Sequence, residues 1–127
     1  MASKILIVED NLMNRALFRV VLLSYGFEIV EAENGAEGVK AAREQRPDLI
    51  LMDLQMPVMN GYEAAKILRD EPTTSKIPLV VVTAFAMNGD REKVLASGFD
   101  RYISKPFIGA ELSKIIRELL ATGQRSE

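Results

Sequence analysis

The feature that most limits what this chain can fold into is a set of short, unbroken apolar runs at Ile5–Val8, Leu49–Met52 and Leu79–Val82. Each is too short for a buried helix and lacks the alternation of a half-exposed strand. They read as strands buried on both faces, and such strands belong to parallel sheets covered by helices. Segments of helical periodicity separate them, so the chain is built from repeated strand-helix units. Two weaker strands complete the set: Glu28-Ile29-Val30-Glu31 mixes polar and apolar residues, and Arg101-Tyr102-Ile103 is short. Both suit sheet edges. Five such units, with strands one, three and four central, match the flavodoxin-like order 2-1-3-4-5, a doubly wound α/β sheet with five helices.

The helices carry their own punctuation. Asn34 with Glu37, and Asn60 with Glu63, can satisfy free amides at helix starts, while Pro47 and Pro72 stop the helices begun there. The first helix, from about Asn14 to Tyr25, is expected to bury Leu17, Val20 and Val21 and to present Arg15 and Arg19 on another face. The fourth runs from about Asp90 to Ser97 and ends at Gly98. In the last, Leu112, Ile115, Ile116, Leu119 and Leu120 share one face, and Gly123 is a natural stop. With 127 residues, 48% of them hydrophobic, there is material for one domain, placed at 1–122 with a polar tail at 123–127.

Composition removes whole classes of function. A net charge of -2, with acids and bases interspersed, argues against nucleic-acid or membrane binding by charge. No segment approaches the roughly 18 apolar residues of a membrane span. Two acids come too soon behind the first apolar run for a secretory signal, so none is expected. A cytoplasmic monomer is expected, and the lack of Cys fits a reducing compartment. There is also no His. Imidazole is therefore unavailable as general base, metal ligand or phosphoryl carrier, and phosphohistidine chemistry would have to come from a partner.

In the predicted order, ligands bind beyond the carboxyl ends of strands one and three. The first strand ends at Glu9-Asp10 and the third at Asp53, so three carboxylates are expected in one crevice. Two such charges about 4 Å apart repel by roughly 4 kcal/mol at an effective dielectric near 20, which calls for a cation. Mg²⁺ suits hard oxygen donors and retains waters that a phosphate can displace, whereas nothing resembles a calcium loop. The fourth strand ends at Thr83, and Lys105-Pro106 comes just after the fifth. Alone, Asp53 would pass for a strand-end cap, Thr83 for a plain strand end and Lys105 for a solvated charge. Together at four strand ends they match phosphoryl transfer onto Asp53, a reaction governed by positioning and charge neutralisation.

With these residues in place, the sequence resembles the receiver domains of two-component response regulators, the superfamily that includes CheY. LIVEDN, LILMDLQMPVMNGYE, VVVTAFAMNGD and YISKPF carry the likeness over nearly the whole chain. TAFAMNGDREK looks most like stand-alone receivers of the DivK kind, and VEDNLMNR also looks like receivers of hybrid histidine kinases. The resemblance implies that Asp53 is the phosphoacceptor, that Asp10 binds Mg²⁺ directly and Glu9 holds its waters, and that Gln55 lends the metal its backbone carbonyl. It implies that Thr83 and Lys105 bind phosphoryl oxygens, that Lys105-Pro106 is cis, and that Tyr102 is a switch aromatic turning as Thr83 moves. The resemblance also implies that Gln55 and Phe85 occupy positions that tune phosphate lifetime. Glu9 is a departure, since many members have Asp there.

The resemblance thus implies a phosphoacceptor signalling protein rather than an enzyme, one that assists its own phosphorylation and slow dephosphorylation. Its donor would be a sensor histidine kinase or phosphotransfer protein. Its output would be the surface of the fourth helix, fifth strand and fifth helix, acting on a downstream protein rather than through a tethered effector. The alternative is a receiver excised from a hybrid kinase or longer regulator. Three other readings fare worse. A flavin module would have its phosphate repelled by Glu9-Asp10, and a phosphatase with a strand-end Asp would need an acid where Gln55 stands. A purely constitutive interaction module would be expected to lose one of Asp10, Asp53, Thr83 or Lys105.

Overall fold

The computed structural model describes residues 2–54, 56, 58–83 and 90–121. Among these the order is β1 (Lys4–Val8), α1 (Leu12–Ser24), β2 (Glu28–Ala32), α2 (Gly35–Gln45), β3 (Leu49–Met52), α3 (Gly61–Asp70), β4 (Leu79–Thr83), α4 (Asp90–Ala96), β5 (Arg101–Ser104) and α5 (Gly109–Ala121). The sheet order is β2-β1-β3-β4-β5, every pairing is parallel, and the predicted fold class holds.

Alternation along each strand builds two cores. Ile5, Ile7, Leu49, Leu51, Val80, Val82 and Ile103 meet Phe18 and Leu22 of α1 and Leu112 and Ile116 of α5. Leu6, Val8, Ile50, Met52, Leu79 and Val81 face the other way, onto Val39 and Ala42 of α2, Ala64, Ala65 and Leu68 of α3 and Val94 of α4. Both faces are dry, which explains the unbroken apolar runs. At the edge, β2 is only partly covered: Glu28 and Glu31 are exposed, Ile29 and Val30 half-buried.

Helix starts obey the sequence signals. The Asn34 side chain accepts from the Glu37 amide at 2.9 Å. Asn60 and Glu63 form a reciprocal capping box at 3.0 and 3.1 Å. The first helix departs from expectation at both its start and its face. It is capped by Asn11, whose side chain accepts from the Asn14 amide. Its inward line is Arg15, Phe18 and Leu22, while Leu17 and Val20 are 51% and 64% exposed. Spacing of three and four holds along 15, 18 and 22, but apolar count alone points to the wrong side. The Glu9 carbonyl after β1 and the acids Glu31 and Glu33 at the end of β2 draw Arg15 inward at the first turn. The stop assigned to Gly123 and the polar tail lie outside the described residues.

Candidate functional site

Parallel strands deliver their last residues to one end of the sheet, so that end collects whatever comes after β1, β3, β4 and β5. Glu9, immediately after β1, is 1% exposed, and its amide still donates to the Ala32 carbonyl at 3.1 Å. Asp53, immediately after β3, donates its amide to the Val8 carbonyl at 3.1 Å, which sets it beside the Glu9 turn. Lys105 comes directly after β5, and its amide donates to the Thr83 carbonyl at 2.9 Å. From there its Nζ donates to Glu9 Oε1 at 2.8 Å and to Asp53 Oδ2 at 2.9 Å. One ammonium thus bridges two carboxylates from distant parts of the chain. Two residues on, the Phe107 ring stacks on Phe18 of α1 with centroids 4.8 Å apart, holding the segment down. The Lys105-Pro106 peptide is cis, as expected.

The electrostatics arise from burial and sharing. Burial is the largest influence on Glu9 and pushes its carboxyl above the ordinary value; repulsion from Asp53 adds to this, against hydrogen bonds from Lys105 and the Asn11 amide. Burial also works against the Lys105 ammonium, but its hydrogen bonds to Asp53 and Glu9 outweigh that and hold it above its ordinary value. One positive charge is divided between two negative ones.

Thr83 is fully buried at the end of β4, opposite Ser104 of β5. Tyr102 is half-buried and packs on the α4 side of the sheet. Asp10 is exposed, and among the described residues no three carboxylates stand close enough together to hold a metal. The structure therefore gathers Glu9, Asp53 and Lys105 and leaves Asp10 at the solvent side. Gln55, Pro57, Ala84 and Phe85 lie outside the described residues. Glu9 and Asp53, two neighbouring carboxylates sharing one ammonium, are hard-oxygen donors, and Mg²⁺ is commonly held through one or two carboxylates while it retains waters.

Sequence reasoning missed Arg15. Its Nη1 donates to the Glu9 carbonyl at 2.9 Å and its Nε to Glu31 Oε1 at 3.2 Å, so it stands directly behind the acidic turn. A signal was available: a cation five residues after Asp10, and Glu31 and Glu33 at the end of the neighbouring strand.

A family model described as the response regulator receiver domain matches residues 5–117. The chain belongs to that family. This receiver is 43% identical over 120 residues to the polar-differentiation response regulator DivK of Brucella anthropi, covering 94% of this chain and 98% of the relative. Its structure is similar to the receiver domain of a Pseudomonas aeruginosa sensor histidine kinase, at a TM-score of 0.89 and 36% identity over 95% of this chain and 99% of that one. That neighbour was crystallised with a magnesium ion coordinated in its active-site cleft. It also resembles chemotaxis protein CheY4 of Vibrio cholerae, at a TM-score of 0.86 and 28% identity over 93% and 98% of the two chains. The chain is a DivK-like receiver of two-component signalling. No helix among the described residues is long and apolar enough to cross a membrane.

Proposed function

We propose that this receiver takes a phosphoryl group from a phosphohistidine of a partner kinase or phosphotransfer protein onto Asp53. A carboxylate oxygen of Asp53 attacks phosphorus, the bond from phosphorus to the imidazole nitrogen breaks, and the histidine leaves with the electron pair. The observation that carries this reading is the Lys105 ammonium 2.9 Å from Asp53 Oδ2 at the open end of the sheet. It holds the acceptor carboxylate in place and stands ready for the negative oxygens that arrive. Glu9, Asp10, Asp53 and the Gln55 carbonyl would hold Mg²⁺, which neutralises phosphoryl charge when bound. Thr83 would meet a phosphoryl oxygen.

The output depends on β4 and β5. Thr83 lies one register step beyond the pairing of Val82 with Ile103 and two beyond that of Val81 with Tyr102. Movement of Thr83 toward the phosphoryl group would open space into which the Tyr102 ring turns, reshaping α4, β5 and α5 for a downstream protein. Phosphate then shifts the balance between two conformations through its different contacts in each.

Phosphotransfer profiling tests the donor class. Sensor kinases and phosphotransfer proteins charged on histidine should pass label to the parent chain and not to Asp53→Asn; equal labelling of the two removes Asp53 from its role. Tyrosine NMR tests the switch, because Tyr102 should change environment on phosphorylation. An unchanged Tyr102 signal in phosphorylated protein would contradict the switch and leave the acceptor assignment standing.

A further inference from the structure

We propose that Arg15 is a positioning residue for the metal-binding turn, fixing the Glu9-Asp10 peptide in the orientation that Mg²⁺ requires. This rests on the reading that Glu9 and Asp10 hold the ion.

Arg15 is 9% exposed on a helix face it shares with Phe18 and Leu22. A buried cation is costly unless it is well paired, and an apolar side chain of similar length would serve that face at least as well for packing alone. Its bonds indicate what it does instead. Nη1 donates to the Glu9 carbonyl at 2.9 Å, Nε donates to Glu31 Oε1 at 3.2 Å, and Nη2 lies 3.6 Å from Glu33 Oε1. The guanidinium is a rigid fork, so a group held on Glu31 and Glu33 at one edge presents Nη1 in a fixed direction. Arg19 tightens the anchor, because its Nη1 donates to both Glu31 oxygens at 2.9 and 2.8 Å.

The carbonyl that Arg15 grips belongs to the peptide joining Glu9 to Asp10. The turn is then held from two sides. The Glu9 side chain accepts from Lys105 at 2.8 Å and from the Asn11 amide at 3.2 Å, and the Glu9 main chain accepts from Arg15. Rotation of this peptide would redirect Asp10, the next residue of the turn. Mg²⁺ demands near-ideal octahedral geometry, so a small misplacement of one donor weakens it sharply. Groups that orient metal ligands are commonly worth 10- to 100-fold in affinity.

Charge alone predicts the opposite result. A cation behind the site repels Mg²⁺, so if Arg15 acted only through its charge, Arg15→Met would tighten binding and Arg15→Lys would leave it unchanged. If Arg15 positions the turn, both variants should bind more weakly, because Lys keeps the charge but cannot span Glu9 and Glu31 together.

The experiment is a calorimetric titration of the full chain with Mg²⁺, for the parent, Arg15→Met, Arg15→Lys and Glu31→Gln, with backbone amide NMR of the metal-free proteins. The expected result is about tenfold weaker Mg²⁺ binding in both Arg15 variants. A smaller loss in the same direction is expected for Glu31→Gln, with amide shifts centred on Asp10 and Asn11. Should either Arg15 variant fail to fold, the other and Glu31→Gln decide. Affinity within twofold of the parent, or tighter, in the folded variants overturns the inference. Failure of the parent itself to bind Mg²⁺ would overturn the metal reading on which it rests.

Discussion

Glu9 is the residue in which burial and charge conflict most. Its carboxyl is nearly inaccessible, and its folded pKa lies above the ordinary 4.5 chiefly because burial penalises the charged form. An acid whose folded pKa is raised contributes stability that is complete below its unfolded value and is lost as pH rises through the folded one. Lys105, raised above 10.5, has its contribution in place across the neutral range and loses it only as pH climbs through its folded value. Glu9→Gln in metal-free buffer should therefore gain stability relative to the parent as pH is raised from about 4.5 toward neutrality, read from urea midpoints. A difference that stays flat or reverses would contradict the conflict at Glu9. In the parent, Mg²⁺ should recover that stability, since a ligand that binds only the folded state stabilises it.

At the scale of elements, the start of α3 is where helix packing and the acceptor meet. A Cβ added at Gly61 would sit 2.6 Å from the Asp53 carbonyl oxygen and 3.0 Å from the Leu54 Cα. Helix propensity favours Ala over Gly by about 1 kcal/mol. The contacts here are with backbone, which cannot step aside as a flexible side chain would, and overpacking costs about 1–3 kcal/mol. Gly61→Ala should thus lower stability by roughly 1 kcal/mol net, measured by urea denaturation, and slow phosphorylation by displacing Asp53. A stabilised variant with parental phosphorylation would contradict it. The start of α3 was legible because Asn60 and Glu63 carry their capping chemistry locally. The face of α1 was not. Its inward line depends on the Glu9 carbonyl after β1 and on Glu31 and Glu33 at the end of β2, and a hydrophobic count along one helix carries no information about them.

At the scale of the molecule, the sheet was legible because dry strands must be apolar throughout, and three such runs admit few parallel arrangements. The site was legible as a set of strand ends: Glu9, Asp53, Thr83 and Lys105 all stand where topology requires. Their pairing was not. That one ammonium divides itself between Glu9 and Asp53 while Asp10 faces solvent depends on side-chain placement across residues 96 and 52 positions apart. If this arrangement makes Asp53 the acceptor of a phosphoryl group, the modification itself should be visible on that residue. Mass spectrometry of the full chain after incubation with a small acyl phosphate and Mg²⁺, combined with peptide mapping, reads it out. One acid-stable, base-labile phosphate is expected on the peptide containing Asp53, absent without Mg²⁺ and absent from Asp53→Asn. Phosphate on another residue, or equal uptake by Asp53→Asn, would contradict the assignment.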